Sequence, residues 1–220
     1  MRKALMASVI ALSLGLTSPP LRAGLITADP GTGTTTIFTV TGNHASGSAV
    51  LLNGFTVAGS SGVFYGTGTY GLSTNGCWGC SGSFSYVSTN SMTASITFDL
   101  GGLFGFVGGF MNYAPGSGSD ATITALAADG TTVLDSYDLV SAAPISTPGG
   151  YNAGAFRGIS DSTDDIRFFR LSGDYILTHT IEVGSSASAV PEPGSCALLL
   201  PVVAGAEFIR RRRALGSHCR

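Results

Sequence analysis

Short runs of β-branched and aromatic residues alternate with turn residues between Thr34 and Val183. Val, Ile, Thr, Phe and Tyr fill the runs, and Gly, Asn or Asp separates them, which is typical of strands joined by tight turns. No segment of this region repeats its apolar residues at the spacing of a helix face. The pattern therefore predicts an all-β fold of about ten short strands, arranged as an antiparallel β-sandwich and specifically as a jelly roll.

Two local patterns make sharper predictions within this fold. Asp129-Gly130 separates two apolar runs and predicts a hairpin with a type I′ turn, which needs positive φ at both central residues. Alternation along the last run predicts that two sets of side chains lie on opposite faces of one strand. The first set is Tyr175, Leu177, His179, Ile181 and Val183, and the second is Thr178, Thr180 and Glu182.

The first 23 residues have the organisation of a secretory signal peptide. Arg2 and Lys3 form a basic start, an apolar run extends from Ala4 to Leu16, and Ala23 is a small residue at a plausible cleavage point. The apolar run is short for a membrane span, and the following prolines would end a helix. We therefore expect export, with residues 1–23 removed and residues 24–185 forming the exported domain.

The C-terminal segment, residues 186–220, has three parts in a fixed order. A proline-rich motif comes first, a short hydrophobic segment at 196–209 follows, and an arginine cluster comes last. The hydrophobic segment predicts a short helix, and the arginines would remain on the cytoplasmic side of a membrane. The motif residues are Val190, Pro191, Glu192 and Pro193, and the cluster is Arg210, Arg211, Arg212 and Arg213.

This ending resembles the PEP-CTERM sorting signal of exported proteins from Gram-negative bacteria that make exopolysaccharide. The resemblance implies processing by an exosortase, a membrane-embedded cysteine transpeptidase, after export by the Sec machinery. The C-terminal segment would then be a transient inner-membrane anchor, and the mature protein would reach the cell surface or the extracellular matrix. Residues 104–183 are also similar to the β-sandwich ectodomains that precede such signals.

The charge distribution excludes one class of partner. Residues 24–189 contain three basic and eleven acidic residues, a net charge of −8, because most arginines lie at the two ends of the chain. A surface of this sign repels phosphate backbones, so we expect no nucleic-acid partner.

Cys77 and Cys80 in the sequence CWGC have the spacing of a thioredoxin-type redox motif. A redox thiolate needs a helix N-terminus, whereas the flanking residues indicate a loop. In an exported protein we expect a structural disulfide, and a metal site, a redox site or free thiols are the alternatives. Cys196 and Cys219 lie in the C-terminal segment.

Other candidate sites are weaker. Asp161, Asp164 and Asp165 offer oxygen ligands for Ca²⁺, or they form a solvated acidic turn. No other cofactor is indicated. Trp78, Tyr65 and Tyr70 could stack on sugar rings, with packing inside the fold as the alternative.

The sequence shows no nucleophile elbow and no zinc-protease helix, and nothing marks out a pair of catalytic carboxylates. We therefore expect a non-enzymatic surface or matrix protein associated with exopolysaccharide and biofilm. A lectin-like carbohydrate-binding module is the first alternative, and a polysaccharide-active enzyme is the second. Exopolysaccharide is accordingly an expected partner.

Overall fold

The computed structural model describes residues 23–40, 42–46, 50–116, 120–173 and 175–186. Apart from Ala23 and Ser186, the predicted signal peptide and C-terminal sorting segment lie outside these ranges, and so do the sorting motif and the predicted hydrophobic helix. No helix within the described ranges has the length and apolar character that crossing a membrane requires.

Nearly all regular structure in the described residues is strand, with one 3-10 turn at Ser73–Asn75 and one helical turn, α1, at Leu139–Ala142. In chain order the strands are β1 (Gly24–Ile26), β2 (Thr34–Ile37), β3 (His44–Ser46), β4 (Val50–Leu52), β5 (Phe55–Gly59), β6 (Val63–Gly66), β7 (Tyr70–Gly71), β8 (Cys77–Trp78), β9 (Tyr86–Thr89), β10 (Ser95–Phe104), β11 (Phe106–Tyr113), β12 (Thr122–Leu126), β13 (Val133–Asp138), β14 (Ala155–Ser160), β15 (Ile166–Ser172), β16 (Ile176–Thr178) and β17 (Thr180–Gly184).

Two sheets contain most of these strands. The larger sheet has nine strands in the order β1-β14-β11-β16-β9-β6-β3, with β17 pairing both β11 and β2. The smaller sheet has six strands in the order β13-β12-β15-β10-β5-β4, and β7 pairs β8 in a separate ribbon. Each pairing recorded between these strands is antiparallel. The predicted all-β antiparallel sandwich is confirmed, and the jelly-roll connectivity stays a prediction.

The main core lies between the two sheets. Phe38, just after β2, stacks on Phe98 of the smaller sheet, with ring centroids 5.7 Å apart and planes 2° from parallel. Val107 and Met111 of β11 face the same core, as do Ile123 of β12 and many other apolar residues from both sheets. Burial of this apolar area is the main source of the stability of the sandwich.

The β12–β13 hairpin forms where Asp129-Gly130 predicts it, but the predicted turn type is wrong. Gly130 alone of the two residues has a positive φ, at 70°. Its N–H donates to the Ala127 carbonyl, and the Asp129 carboxylate accepts from the N–H groups of Thr131 and Thr132. The hydrogen bond that the Thr132 hydroxyl donates to Asp129 Oδ2, followed by the bonds from the Thr132 and Thr131 N–H groups, lowers the pKa of Asp129 to about 2. The conformation expected of a type I′ turn occurs instead at Asn53-Gly54, where φ is 50° and 91°.

The predicted faces of the last strand are also wrong, because a β-bulge divides it at His179. Met111 pairs with Thr178, but Gly108 pairs with Glu182, so the register shifts by one residue. Ile181 and Val183 accordingly face the main core, while Leu177 lies in a second cluster on the opposite face of the sheet. Thr178, predicted to share a face with Glu182, is separated from it by the same shift.

This second cluster covers the outer face of the nine-stranded sheet. We call it the outer cluster; its buried members are Tyr70, Leu72, Trp78, Tyr86, Ala114 and Leu177. The segment that contains the 3-10 turn and the β7–β8 ribbon supplies Tyr70, Leu72 and Trp78 to it. This segment therefore packs on the outer side of the sheet, away from the main core.

Candidate functional site

A groove of about 440 Å³ lies beside the outer cluster, on the outer face of the nine-stranded sheet. Its volume falls within the usual range of ~300–1,000 Å³ for small-molecule sites. Aromatic rings and oxygen-bearing side chains line it together: Asp29, Thr35, Trp78, Phe84, Phe110, Asn152, Phe156, His179, Thr180 and Glu182.

Two phenylalanines on neighbouring strands contribute to the lining. Phe110 of β11 and Phe156 of β14 lie directly opposite each other in the antiparallel register, so their side chains project from the same face. Gly108 leaves space for the Phe156 ring, because a Cβ at this position would lie 2.6 Å from that ring. Glycine at this position lets the Phe156 ring lie against the strand.

The bulge brings His179 to the groove. The His179 ring lies 5.2 Å, centroid to centroid, from both the Trp78 and the Phe110 rings, and its Nδ1 lies 3.3 Å from the Phe110 carbonyl oxygen. Burial lowers the pKa of His179 from its ordinary value, and the Phe110 carbonyl partly offsets this effect. His179 is therefore a largely neutral ring within an aromatic group at neutral pH.

Trp78 is held in place by the segment that carries the two cysteines. The structure joins Cys77 to Cys80 in a disulfide, with Cα atoms 5.8 Å apart, so Trp78 lies within the closed loop. The Gly79 N–H donates to Asn152 Oδ1 at 2.6 Å, and the Cys77 N–H donates to the Gly150 carbonyl at 2.9 Å. These bonds attach the disulfide loop to the segment before β14 and fix Asn152 beside Trp78.

One polar group of Trp78 has no partner in the described part of the chain. Trp78 is 2% exposed, and its indole Nε1 makes no hydrogen bond to any described residue. A buried N–H without an acceptor is destabilising, so such a group in a native structure needs an explanation. Trp78 contributes to the groove lining, but this nitrogen is itself buried, so a bound molecule would reach it only after a local rearrangement.

The acidic part of the lining is built on Glu182 of β17. Glu182 is 2% exposed, and its carboxylate accepts from Thr35 Oγ1 at 2.9 Å and from the Gly33 N–H at 3.3 Å. The backbone at Gly33 can approach this closely because it has no side chain: a Cβ there would lie 2.7 Å from Glu182 Oε1. Asp29 is exposed and accepts from the Gly31 N–H.

The calcium candidates do not converge on one point. Asp161 accepts from residues 162 and 163, Asp165 accepts from Thr163 Oγ1 at 2.6 Å, and Asp164 accepts from the Ser186 N–H at 2.5 Å. Within the described ranges, no three His, Cys, Asp or Glu side chains are placed to hold a metal ion together. The local hydrogen bonds match the alternative interpretation of an acidic turn before a strand.

The aromatic residues singled out from the sequence are buried rather than displayed. Trp78, Tyr65 and Tyr70 are only 2%, 8% and 6% exposed, which matches the interpretation that they pack inside the fold. Trp78 still contributes to the groove lining, whereas Phe84, at 47% exposure, is the most accessible aromatic ring there.

Most of the lining was not predictable from the sequence. Phe84, Phe110, Phe156, Asp29, Asn152 and Glu182 belong to five separate parts of the chain, and no spacing motif joins them. The one available signal was the alternation along the last strand, which predicts that Glu182 faces away from the core residues Ile181 and Val183. No family model, curated protein or solved structure matches this chain.

Proposed function

We propose that this is an exported, non-catalytic protein of the cell surface or the exopolysaccharide matrix, sorted by an exosortase. The structural observation that supports the export part of the proposal is the Cys77–Cys80 disulfide, since disulfides persist in oxidising compartments outside the cytoplasm. The predicted signal peptide and the ordered motif, hydrophobic segment and arginine cluster of residues 190–213 support the same compartment.

The sorting part of the proposal is tested by the mature C-terminus. Expressed in a Gram-negative host with an exosortase, the surface protein should end near Pro191–Pro193 and lack Arg210–Arg213, as measured by mass spectrometry. A Glu192→Ala variant should keep its tail and remain in the membrane fraction, whereas the matched control Glu207→Ala should be processed. Recovery of the intact chain through Arg220 from the medium would contradict sorting.

The groove favours carbohydrate binding as a second candidate function. Aromatic rings, two carboxylates and an amide line one site, which is a combination that can contact both the apolar face and the hydroxyl groups of a sugar. This function is compatible with the first, because a matrix protein needs a contact with the matrix. Steady hydrolysis of the host exopolysaccharide, abolished by Glu182→Gln, would instead establish an enzyme.

A further inference from the structure

We propose that the groove binds a segment of polysaccharide whose sugar units carry no acidic groups. The inference deepens the carbohydrate-binding candidate, on which it rests, by naming the ligand class and the residues that select it. Phe84, Phe110 and Phe156 would contact the apolar faces of the sugar rings, and Glu182 would accept hydrogen bonds from sugar hydroxyl or amino groups.

The exposed aromatic rings of the groove support contact with the apolar faces of sugars. Phe84 is 47% exposed and lines the groove although it belongs to neither hydrophobic cluster of the described residues. Phe110 and Phe156 are partly exposed on the same face. Leaving such rings in water is unfavourable, and a ligand with a flat apolar face would remove that area from water.

The carboxylate of Glu182 supplies the hydrogen-bond acceptor of the proposed site. An ionised carboxylate offers about four lone-pair positions, and two donors, Thr35 Oγ1 and the Gly33 N–H, contact this one. Glu182 is 2% exposed as a residue and lines the groove, so the small accessible part of its surface faces the groove. A buried charge is costly unless hydrogen bonds compensate it, and a ligand that donates hydrogen bonds supplies that compensation.

The charge of the lining selects against acidic ligands. Among the described residues that line the groove, two are carboxylates and none is Lys or Arg. Arg157 follows Phe156 in β14 but projects to the core side, where its guanidinium donates to the Ala143 carbonyl at 2.9 and 3.1 Å. Uronate, sulfate or phosphate groups would therefore meet like charge without a compensating cation.

The remaining polar groups of the groove can also form hydrogen bonds with a sugar. Asn152 and Thr180 each offer a donor and an acceptor, although both side chains already make protein contacts: Asn152 Nδ2 donates to Ser81 Oγ, and Thr180 Oγ1 accepts from the Phe110 N–H. A sugar has hydroxyl groups that both donate and accept, so one ligand can bond to a carboxylate and to the Asn152 amide together, which a purely apolar peptide face cannot.

Isothermal titration of the purified full-length chain tests the proposal with three hexasaccharides of equal length: a neutral β-glucan, a glucosamine oligomer and a polyuronate. We expect saturable binding of the neutral or the amine-bearing oligomer and none of the polyuronate. Phe84→Ala and Glu182→Gln should each weaken binding by about tenfold or more. The control Leu103→Ala, an exposed apolar side chain on the smaller sheet, should bind as the natural chain does.

Several results would overturn the proposal. One is binding of the polyuronate alone, and another is no binding of any of the three oligomers. A third is unchanged affinity in Phe84→Ala, because this exposed ring can be removed without disturbing the core. Binding of an extended apolar peptide at the same residues would equally overturn it. Because purified protein is used, failure here leaves the proposed sorting intact, and failure of sorting leaves this binding result unaffected.

Discussion

Tyr86 and Tyr113 are both fully buried, but their hydroxyl groups differ in their hydrogen bonding. The Tyr113 hydroxyl donates to the Leu139 carbonyl of the α1 turn and to the Ala143 carbonyl just after it, whereas the Tyr86 hydroxyl has no partner among the described residues. Burial raises the pKa of Tyr86 to about 12.

Phenylalanine substitutions at the two positions should therefore differ in their effect on stability. Tyr113→Phe loses a buried hydrogen bond and should cost about 0.5–1.5 kcal/mol of unfolding free energy. Tyr86→Phe removes an unpaired polar group and should leave the stability unchanged or raise it. Thermal unfolding followed by far-UV circular dichroism measures both, at roughly 2–4 °C per kcal/mol for a chain of this size. An equal loss in the two variants would refute this assignment of the hydroxyl groups.

His179 makes stability depend on pH in a definite direction. Its pKa in the folded protein is lowered, chiefly by burial, so the unfolded chain binds a proton more readily than the folded one. Stability therefore rises with pH across the interval between the two pKa values, and the contribution is lost as pH falls below about 6.5, the ordinary pKa of histidine.

Urea unfolding between pH 8 and pH 5, compared with His179→Gln, measures this contribution. The natural chain should lose stability relative to the variant as the pH decreases, since glutamine does not titrate. The carboxylates act in both proteins and cancel in the comparison. Parallel stability curves would show that His179 does not titrate differently on unfolding.

At the scale of the element, β11 depends on glycine at its contact with the bulge. A Cβ at Gly109 would lie 2.1 Å from the Thr180 carbonyl oxygen, which is backbone and cannot rotate away. Gly109→Ala should therefore push β11 away from β17 and cost on the order of 1–3 kcal/mol or more.

Gly71→Ala in β7 is the matched control, because it has an ordinary φ and nothing within 4 Å of the added Cβ. Chemical denaturation monitored by circular dichroism should show a clear decrease in midpoint for Gly109→Ala and little change for Gly71→Ala. Equal midpoints in the two variants would mean that the sheet accommodates the methyl group.

The sequence predicted elements better than it predicted their faces. Runs of β-branched residues identified the strands, because strand propensity and turn formation depend mainly on residues that are close in the sequence. The sequence did not predict the bulge at His179, because the apolar alternation continues through it without a break. The alternating residues are Tyr175, Leu177, His179, Ile181 and Val183. The hydrogen bonds of Thr178 and Thr180 across to Phe110 hold the bulge, and they depend on a partner strand about 70 residues away.

The candidate site was less predictable than the fold for the same reason. Its residues meet only after β2, β11, β14 and β17 are adjacent, so strand pairing determines the site. The CWGC sequence was recognisable as a disulfide pair, but the contact of Trp78 with His179 was not.

For the whole molecule, the disulfide should matter less to the fold than to the groove. It closes a short loop outside the main core, so its stabilisation should fall below the ~3 kcal/mol expected for a 15-residue loop. Replacing both cysteines with serine should lower the melting temperature only slightly and leave the far-UV spectrum unchanged.

Alkylation followed by intact-mass measurement, with and without prior reduction, tests the covalent state directly. Protein taken from the cell surface without reductant should incorporate label at neither Cys77 nor Cys80. Incorporation at both would refute the disulfide and return the metal and redox alternatives to consideration.

Trp78 is the single tryptophan of the chain, and it lies between two disulfide-bonded cysteines with the His179 ring 5.2 Å away. All indole fluorescence of the protein therefore originates at the groove. A buried indole emits at short wavelength, and a neighbouring disulfide or protonated imidazole quenches it. Reduction should brighten the emission, and acid should dim it. The molecule thus contains its own optical reporter at the one place where a ligand is proposed to bind.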